Sequence, residues 1–255
     1  MEPSRDSLPI VRVTIDGKPA AFVLDTGAET TIVTAAAARR LGLALVASDQ
    51  KSYDAHGAVR RVLGIASLTK IQLGTASLLD QQAWCMDLPL PAGVDGLLSR
   101  QAFAELVLAI DYPQRVVEVW NGELPAPDGQ RIVQVGVHSA GAIRIPVRIG
   151  LAEEWFVVDS GFAGKIILDR DMLGRVKSDE VPMLQHSQGV NSKIQTQARQ
   201  LSDPVKIGAY SFTGVLATHF PGAKNMIGSG LLRPYRITID QKRRRLAIAP
   251  SSAKD

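Results

Sequence analysis

The second half of the chain repeats the first at a nearly constant spacing. The stretch 11–25 corresponds in pattern to 145–159, which lies 134 positions further on (145 − 11). The stretch 98–111 corresponds without gaps to 227–240, at a spacing of 129 (227 − 98), so the loop between these landmarks is shorter in the second copy. Two long repeats in one chain predict two similar lobes, each built from the same succession of strands and turns.

Both copies carry an apolar strand that ends in an aspartate, a hydroxyl residue and a glycine. The first copy reads FVLDTGA over 22–28, and the second reads WFVVDSGF over 155–162. One such triplet is an ordinary strand followed by a turn in which glycine supplies a positive φ. Two triplets at equivalent positions are more specific, because a pseudo-twofold axis would bring Asp25 and Asp159 face to face at the lobe interface.

Two carboxyl groups that meet in this way can serve as an acid and a base. They cannot both ionise easily, so they share a proton. The ionised member can take a proton from a bound water, and the protonated member can give a proton to the oxygen of the group that the water attacks. The pair Asp25 and Asp159 therefore predicts general acid–base catalysis of a hydrolysis.

The triplets at 25–27 (DTG) and 159–161 (DSG) resemble the two signature triplets of the retropepsin-like aspartic protease family. The repeat extends this resemblance over nearly the whole chain, and the dyad of that family is the known example of two aspartates sharing a proton. The resemblance implies an all-β fold of two pseudo-symmetric β-barrel lobes with short helices and an active site at the lobe interface. It also implies an aspartic endopeptidase with Asp25 and Asp159 as its catalytic dyad, without a cofactor or a metal.

The same resemblance implies roles for the residues around the dyad. The hydroxyls of Thr26 and Ser160 would hydrogen-bond across the interface, and Gly27 and Gly161 would let a substrate backbone approach closely. The two active-site loops would then consist of Thr26, Gly27, Ala28, Ser160, Gly161 and Phe162.

The residue after each triplet bears on the pH at which the dyad would work. Pepsin-like members commonly have Ser or Thr there, whereas this chain has Ala28 and Phe162. Neither side chain offers a hydrogen-bond donor to the catalytic carboxylate, and loss of such a donor raises the pKa of a carboxyl group. We therefore expect an activity optimum at roughly pH 4–6, less acidic than that of pepsin.

Two further family features have counterparts in the chain. A glycine follows two apolar residues near the end of each lobe of the family; Gly228 fits this pattern in the second half, whereas Ser99 occupies the corresponding position in the first. A β-hairpin flap is expected to cover the cleft. The flap candidates from the two halves are Tyr53, His56, Gly57, Gln188 and Gly189.

The stretch 123–130 is the best linker in the chain, because it is rich in turn-forming and helix-breaking residues. We therefore expect an N-terminal aspartic-protease-like lobe over 1–122 and a C-terminal one over 131–255. Since both aspartates lie in one chain, we expect a monomer to be competent for cleavage of a peptide or protein substrate.

Local signals predict several individual elements. The dipeptide Asp-Gly at 16–17 indicates a hairpin turn. Thr34 can cap a short helix over 35–41, and Gly42 can end it. The basic cluster 242–245 is interpreted as a solvated turn between two C-terminal strands rather than as a nucleic-acid contact.

Other chemistries lack their motifs. The four histidines show no metal-ligand spacing, and the segment 228–230 is not the nucleophile elbow of serine hydrolases. The lone Cys85 is interpreted as a buried structural thiol. The net charge of +4 is mild and dispersed, so we expect no nucleic-acid partner. Two alternatives stay open: a weakly active or inactive peptide-binding module with the same fold, and a duplicated β-domain used only for interaction.

The sequence bears only weakly on location. No apolar run reaches the ~18 residues that a membrane span needs, and a single cysteine allows no intramolecular disulfide. The polar stretch 2–6 does not read as a signal peptide. These features fit the cytoplasm, or a bacterial periplasmic or secreted location if a leader has been removed.

Overall fold

The computed structural model describes residues 2–3, 8–53, 59–137, 141–188 and 193–251. Strands make up 52% of the structure and helices 10%, so the prediction of an all-β fold is confirmed. The elements of the first half are β1 Glu2–Pro3, β2 Pro9–Ile15, β3 Lys18–Asp25, β4 Thr31–Val33, α1 Ala35–Leu41, β5 Leu45–Val46, β6 Lys51–Tyr53, β7 Val59–Arg61, β8 Gly64–Leu73, β9 Ala76–Cys85, β10 Gly96–Ser99, the 3-10 helix Arg100–Phe103, β11 Val107–Asp111 and β12 Val116–Trp120. Those of the second half are β13 Ile132–Gln134, β14 Gly136–Val137, β15 Ile143–Ile149, β16 Ala152–Asp159, β17 Ile166–Ile167, α2 Arg170–Arg175, β18 Ser178–Gln188, β19 Lys193–Leu201, β20 Val205–Ile207, β21 Tyr210–Phe212, β22 Leu216–His219, β23 Met226–Gly228, α3 Ser229–Leu232, β24 Tyr235–Asp240 and β25 Arg245–Pro250.

The first lobe contains a closed six-stranded barrel. Its strands follow the order β2, β3, β10, β4, β9 and β8, and antiparallel pairing of β8 with β2 closes the circle. Alternate side chains of β2, namely Val11, Val13 and Ile15, are buried by this closure. The β2–β3 hairpin turns at Asp16 and Gly17, whose φ angles of 49° and 84° confirm the predicted Asp-Gly turn.

The second lobe is organised around one ten-stranded sheet. Its main path runs β18, β19, β22, β17, β23, β16, β15, β20 and β21, and β14 pairs with β15. The centre of the sheet repeats the first lobe, because β16 lies parallel to β23 as β3 lies parallel to β10. These two parallel pairs are the elements that carry the aspartate loops.

The short helices begin where hydroxyl or carboxyl side chains cap them. Thr34 Oγ1 accepts a hydrogen bond from Ala37 N at 3.1 Å, and Gly42 ends α1 with a left-handed φ of 70°, as the sequence predicts. At the equivalent place in the second lobe, Asp169 Oδ1 accepts from Met172 N at 2.7 Å and caps α2. Both helices therefore follow from local sequence.

A third sheet is shared by the two halves. It runs β12, β11, β24, β25 and β13, and β11 pairs antiparallel with β24, with Ile110 opposite Ile237. The pairing of β11 with β24 joins strands that lie more than a hundred residues apart in the chain. The basic cluster 242–245 lies at the β24–β25 connection, which confirms its interpretation as a turn. The lobe boundaries at 1–122 and 131–255 remain a prediction.

Two buried aspartates mark equivalent turns of this shared sheet. Asp111 Oδ1 accepts a hydrogen bond from Gln114 N at 3.0 Å, and Asp240 Oδ1 accepts one from Arg243 N at 3.0 Å. Both side chains are nearly inaccessible to solvent, at 2% and 1% exposure of the residue. Their carboxylates therefore act as turn caps at the ends of β11 and β24.

One hydrophobic core extends through both halves of the molecule. It includes Phe22 and Leu108 from the first half and Phe156 and Ile237 from the second. Cys85 belongs to this core, and burial raises the pKa of its thiol, which agrees with the predicted structural role. Within the described residues, no helix has the length and apolar character needed to cross a membrane.

Candidate active site

The two predicted aspartates end equivalent strands in equivalent registers. Asp25 is the last residue of β3 and lies opposite Ser99 on the parallel strand β10. Asp159 is the last residue of β16 and lies opposite Gly228 on the parallel strand β23. The repeat that the sequence shows is therefore also a repeat in strand pairing.

The structure brings the two aspartates together across the lobe interface. A Cβ placed on Gly27 would lie 2.5 Å from Asp159 Cγ, and one placed on Gly161 would lie 2.5 Å from Asp25 Cγ. The two carboxyl groups are therefore neighbours, and the negative charge of Asp25 raises the pKa of Asp159. Each glycine thus leaves room for the carboxylate of the opposite half. The resemblance implies a different role for these glycines, namely close approach of the substrate backbone.

Backbone amides hold each carboxylate in the same way. Asp25 Oδ1 accepts from Gly27 N and Ala28 N, both at 2.9 Å. Asp159 Oδ1 accepts from Gly161 N at 2.8 Å and from Phe162 N at 3.1 Å. Each loop therefore fixes one oxygen of its aspartate.

Thr26 and Ser160 form a reciprocal lock between the halves. Thr26 N donates to Ser160 Oγ at 3.0 Å, and Ser160 N donates to Thr26 Oγ1 at 2.9 Å. The hydroxyls continue the lock, because Thr26 Oγ1 donates to Val158 O at 2.8 Å and Ser160 Oγ donates to Leu24 O at 2.6 Å. Both side chains are 1% exposed, so each bond lies out of water.

Burial dominates the electrostatics of the aspartate pair. Desolvation raises the pKa of both Asp25 and Asp159. The negative charge of Asp25 raises the pKa of Asp159 further, well above its usual value. Amide hydrogen bonds, and for Asp25 the charge of Arg100, oppose the shift. Because the two groups interact strongly, the proton that they share belongs to the pair.

The position of the family glycine differs between the halves for a steric reason. A Cβ on Gly228 would lie 2.2 Å from Gly164 O and 2.5 Å from Phe162 O, so only glycine fits there. Ser99 is accommodated in the first half, where its amide donates to Thr31 Oγ1 at 3.3 Å. Asp25 still lies opposite Ser99 in the expected register, so the departure does not displace the loop.

Arg100 is a neighbour of the site that the sequence reasoning missed. It directly follows Ser99, is 1% exposed, and donates from Nη1 to Ala28 O at 2.7 Å. In the second half, Ser229 Oγ donates to Phe162 O at 3.0 Å from the equivalent position. The sequence signal that could have identified Arg100 is the spacing of 129 that aligns 98–111 with 227–240. The same spacing aligns Arg100 with Ser229 (229 − 100).

Two of the flap candidates, Tyr53 and Gln188, lie at the ends of hairpin strands. Tyr53 ends β6, pairs with Val59 of β7 and is 67% exposed. Gln188 ends β18 and pairs with Lys193 of β19. His56, Gly57 and Gly189 lie outside the described residues.

No group of side chains within the described ranges has the composition of a metal site. His219, whose Nδ1 lies 2.9 Å from Leu168 O, is bonded to backbone. The polar groups that converge at the lobe interface are therefore the aspartate pair and the amides and hydroxyls of its loops.

Comparison with known proteins agrees with this geometry. Residues 11–102 match the family model described as aspartyl protease. No curated protein matches the chain. The crystal structure of aspartic proteinase from Irpex lacteus is similar, with a TM-score of 0.58 over 95% of this chain and 94% of that chain. The sequence identity is 13%, so this similarity concerns the fold. The segment 11–102 thus matches the aspartyl protease family model, and the chain as a whole has the fold of an aspartic proteinase.

Proposed function

We propose that this protein is an aspartic endopeptidase in which Asp25 and Asp159 form the catalytic dyad within a single chain. The observation that carries the proposal is the reciprocal contact at the interface, where Gly27 lies against the carboxylate of Asp159 and Gly161 against that of Asp25. Two neighbouring carboxyl groups whose pKa values are both raised by desolvation can supply one acid and one base.

The chemistry follows from one proton shared by two carboxyl groups. A water held between them loses a proton to the ionised carboxylate as its oxygen attacks the peptide carbonyl carbon, and the protonated carboxyl gives its proton to the carbonyl oxygen. A tetrahedral diol results. Its collapse breaks the C–N bond, returns a hydroxyl proton to the dyad and delivers a proton to the leaving nitrogen, so the dyad ends as it began.

The lock around the dyad supports this role by fixing geometry before substrate arrives. Thr26 and Ser160 tie each loop to the other half through four buried hydrogen bonds. The amides of each loop hold one oxygen of each aspartate, so the other oxygen is left for water and substrate. Preorganisation of this kind lowers the cost of reaching the transition state.

Replacement of either aspartate by asparagine tests the dyad. Asp25→Asn and Asp159→Asn should each lower kcat for a peptide substrate by at least about a thousandfold, because either change removes half of the acid–base pair. The matched controls are Asp111→Asn and Asp240→Asn, which alter a second pair of equivalent buried aspartates in the shared sheet. These controls should keep turnover, and near-normal turnover in either dyad variant would refute the assignment.

The same dyad variants carry an internal check on folding. Because the folded state raises both carboxyl pKa values, it binds protons more tightly than the unfolded chain. The wild type therefore loses stability as the pH rises from the carboxyl pKa of the unfolded chain to that of the folded protein. Asp159→Asn removes that penalty, so its free energy of unfolding at pH 7 should equal or exceed that of wild type while activity is lost.

Activity should not depend on association of chains. Both aspartates lie in one chain of 255 residues and already meet in it. Specific activity measured over a hundredfold dilution should stay constant. A steep fall on dilution, restored by concentration, would show that the working site is built between chains.

A further inference from the structure

Arg100 is a large cation buried beside the aspartate pair without a direct ionic partner. It is 1% exposed, and its Nη2 has no hydrogen-bond partner among the described residues. Within the described residues, no carboxylate lies within ion-pair distance of the guanidinium. Burial of a guanidinium in this state costs free energy.

The hydrogen bond from Arg100 to the loop carbonyl does not require a charged donor. Its guanidinium donates a hydrogen bond from Nη1 to Ala28 O at 2.7 Å. In the second half, the neutral hydroxyl of Ser229 makes the equivalent bond to Phe162 O, and Ser229 N donates to the same oxygen at 2.8 Å. A serine is therefore sufficient to hold the loop carbonyl, and the charge of Arg100 is additional to that task.

The charged and titratable groups around the pair are unevenly distributed. Arg100 approaches from the 3-10 helix that follows β10, and its electrostatic partners are Glu29, Asp25 and Asp159. Glu29 is an exposed residue of the first loop, so solvent screens it. Tyr112 approaches from the shared sheet, and burial raises its pKa far above the working range, so it is neutral.

Solvent exposure alone would place the shared proton on Asp25 and leave Asp159 ionised. Asp25 is 7% exposed, whereas Asp159 is half-buried, and the better solvated carboxylate ionises more easily. The charge of Arg100 acts against this order, because it favours the ionised form of Asp25. Two hydrogen bonds hold Arg100: Gln241 of the β24–β25 connection donates from Nε2 to Arg100 O at 2.7 Å, and the guanidinium donates to Ala28 O.

We propose that Arg100 is a positioning residue that makes the two aspartates unequal: its buried guanidinium holds Asp25 ionised, so Asp159 carries the shared proton before substrate binds. Resting on the proposed dyad, this inference assigns the base that activates water to Asp25 and the acid that protonates the carbonyl oxygen to Asp159. The hydrogen bonds of the two aspartate loops are symmetric. The asymmetry comes from Arg100, which is charged, whereas its counterpart Ser229 is neutral.

The first experiment needs no catalysis. Wild-type protein labelled with 13C at the aspartate carboxyl carbons is titrated by NMR, and the two signals are assigned by their loss in Asp25→Asn and Asp159→Asn. Between the two steps of the pair, Asp25 should show the chemical shift of a carboxylate and Asp159 that of a carboxylic acid. The reverse order, or two signals that move together through both steps, would overturn the proposal.

The second experiment measures kcat/KM against pH for four proteins. Arg100→Gln removes the charge, so its acid limb should move to higher pH by about one unit. Arg100→Lys keeps the charge and should restore the limb to within a few tenths of a unit. Ser229→Ala is the matched control, because it removes the equivalent bond in the second half without a change of charge, and its limb should stay where the wild type has it.

The outcomes separate this proposal from the proposed function. A loss of rate in Arg100→Gln that is equal at every pH would show that Arg100 only supports the loop, and would overturn the proposal. If Arg100→Gln does not fold, the order in which the two carboxyl groups of the wild type ionise, measured by NMR, decides the proposal. If the wild type cleaves no peptide, the proposed function fails, while the NMR titration still tests which aspartate holds the proton.

Discussion

The first lobe closes a six-stranded barrel through β2 and β8, whereas the second lobe carries its long β18–β19 hairpin into a ten-stranded sheet. Despite this difference, the two aspartate loops have the same hydrogen bonds, with amide-to-carboxylate distances of 2.9 and 2.9 Å in one and 2.8 and 3.1 Å in the other. The loops are bonded to each other across the interface. Reciprocal bonding therefore keeps the site symmetric while the surrounding strands diverge.

The sharpest way to break this symmetry is to enlarge one of the two facing glycines. Gly27→Ala and Gly161→Ala would each push a methyl group to 2.5 Å from the opposite carboxyl carbon. We expect a loss of kcat/KM of at least about a hundredfold, since small displacements of catalytic groups have effects of this size. A loss of about 1–3 kcal/mol in the free energy of unfolding should accompany it.

Gly174→Ala in α2 is the matched control for both glycine variants. Nothing lies within 4 Å of a Cβ placed there, and alanine is favoured over glycine within a helix. Its stability should be equal to or above that of wild type, with activity unchanged. Full activity in Gly27→Ala or Gly161→Ala would mean that the two carboxylates do not work at the observed separation.

The lock offers a second test, in which both halves should respond alike. Thr26→Val removes the acceptor for Ser160 N, and Ser160→Ala removes the acceptor for Thr26 N. Each change leaves a buried amide unsatisfied, so each should lower the free energy of unfolding in urea by about 1–3 kcal/mol. The double variant should lose less than the sum, because the two changes break the same network. Additive losses would contradict a single coupled lock.

The β6–β7 and β18–β19 hairpins, which lie outside the aspartate loops, differ in how they pair with other strands. The short β6–β7 hairpin forms a separate two-stranded sheet, whereas β19 of the longer hairpin pairs with β22. We therefore expect the first-lobe hairpin to be the flap that closes on substrate, since it is the less restrained of the two. Tyr53→Ala should raise KM roughly tenfold with stability within about 0.5 kcal/mol of wild type, because Tyr53 is 67% exposed.

Leu151→Ala provides the control for the flap variant. Leu151 is fully exposed at the β15–β16 connection, so truncation there also removes an exposed apolar side chain. Its KM should equal that of wild type. An unchanged KM in Tyr53→Ala would exclude this residue from substrate closure and direct attention to the β18–β19 hairpin.

Local signals and the repeat account for the parts of the structure that the sequence predicts well. The cap at Thr34 and the turn at Asp16 and Gly17 are decided by neighbours in sequence, so residue type alone is sufficient there. The meeting of Asp25 and Asp159 follows from symmetry, because equivalent residues of a duplicated lobe face each other across the axis.

The shared sheet and Arg100 escape sequence reasoning for different reasons. The apolar run 107–110 is typical of a buried strand but does not say that the partner of β11 is β24, more than a hundred residues away. An arginine is read as a surface residue because burying its charge is costly. The contacts that hold Arg100 inside, with Ala28 O and with Gln241, join parts of the chain that are far apart in sequence.

The smallest expected effect comes from adding one hydroxyl to one loop. Ala28 N already donates to Asp25 Oδ1 at 2.9 Å, so a side chain at this position begins close to the carboxylate. In Ala28→Ser, a hydroxyl that donates to the ionised form would lower the pKa of Asp25. The acid limb of kcat/KM should then move to lower pH by roughly half a unit, and the optimum with it. Ala28→Cys has nearly the same size but a much weaker donor, so its profile should match that of wild type. The second loop keeps Phe162 in both variants, so any shift reports on the first loop alone. A profile for Ala28→Ser that stays in place, or moves to higher pH, would show that this position does not tune the dyad.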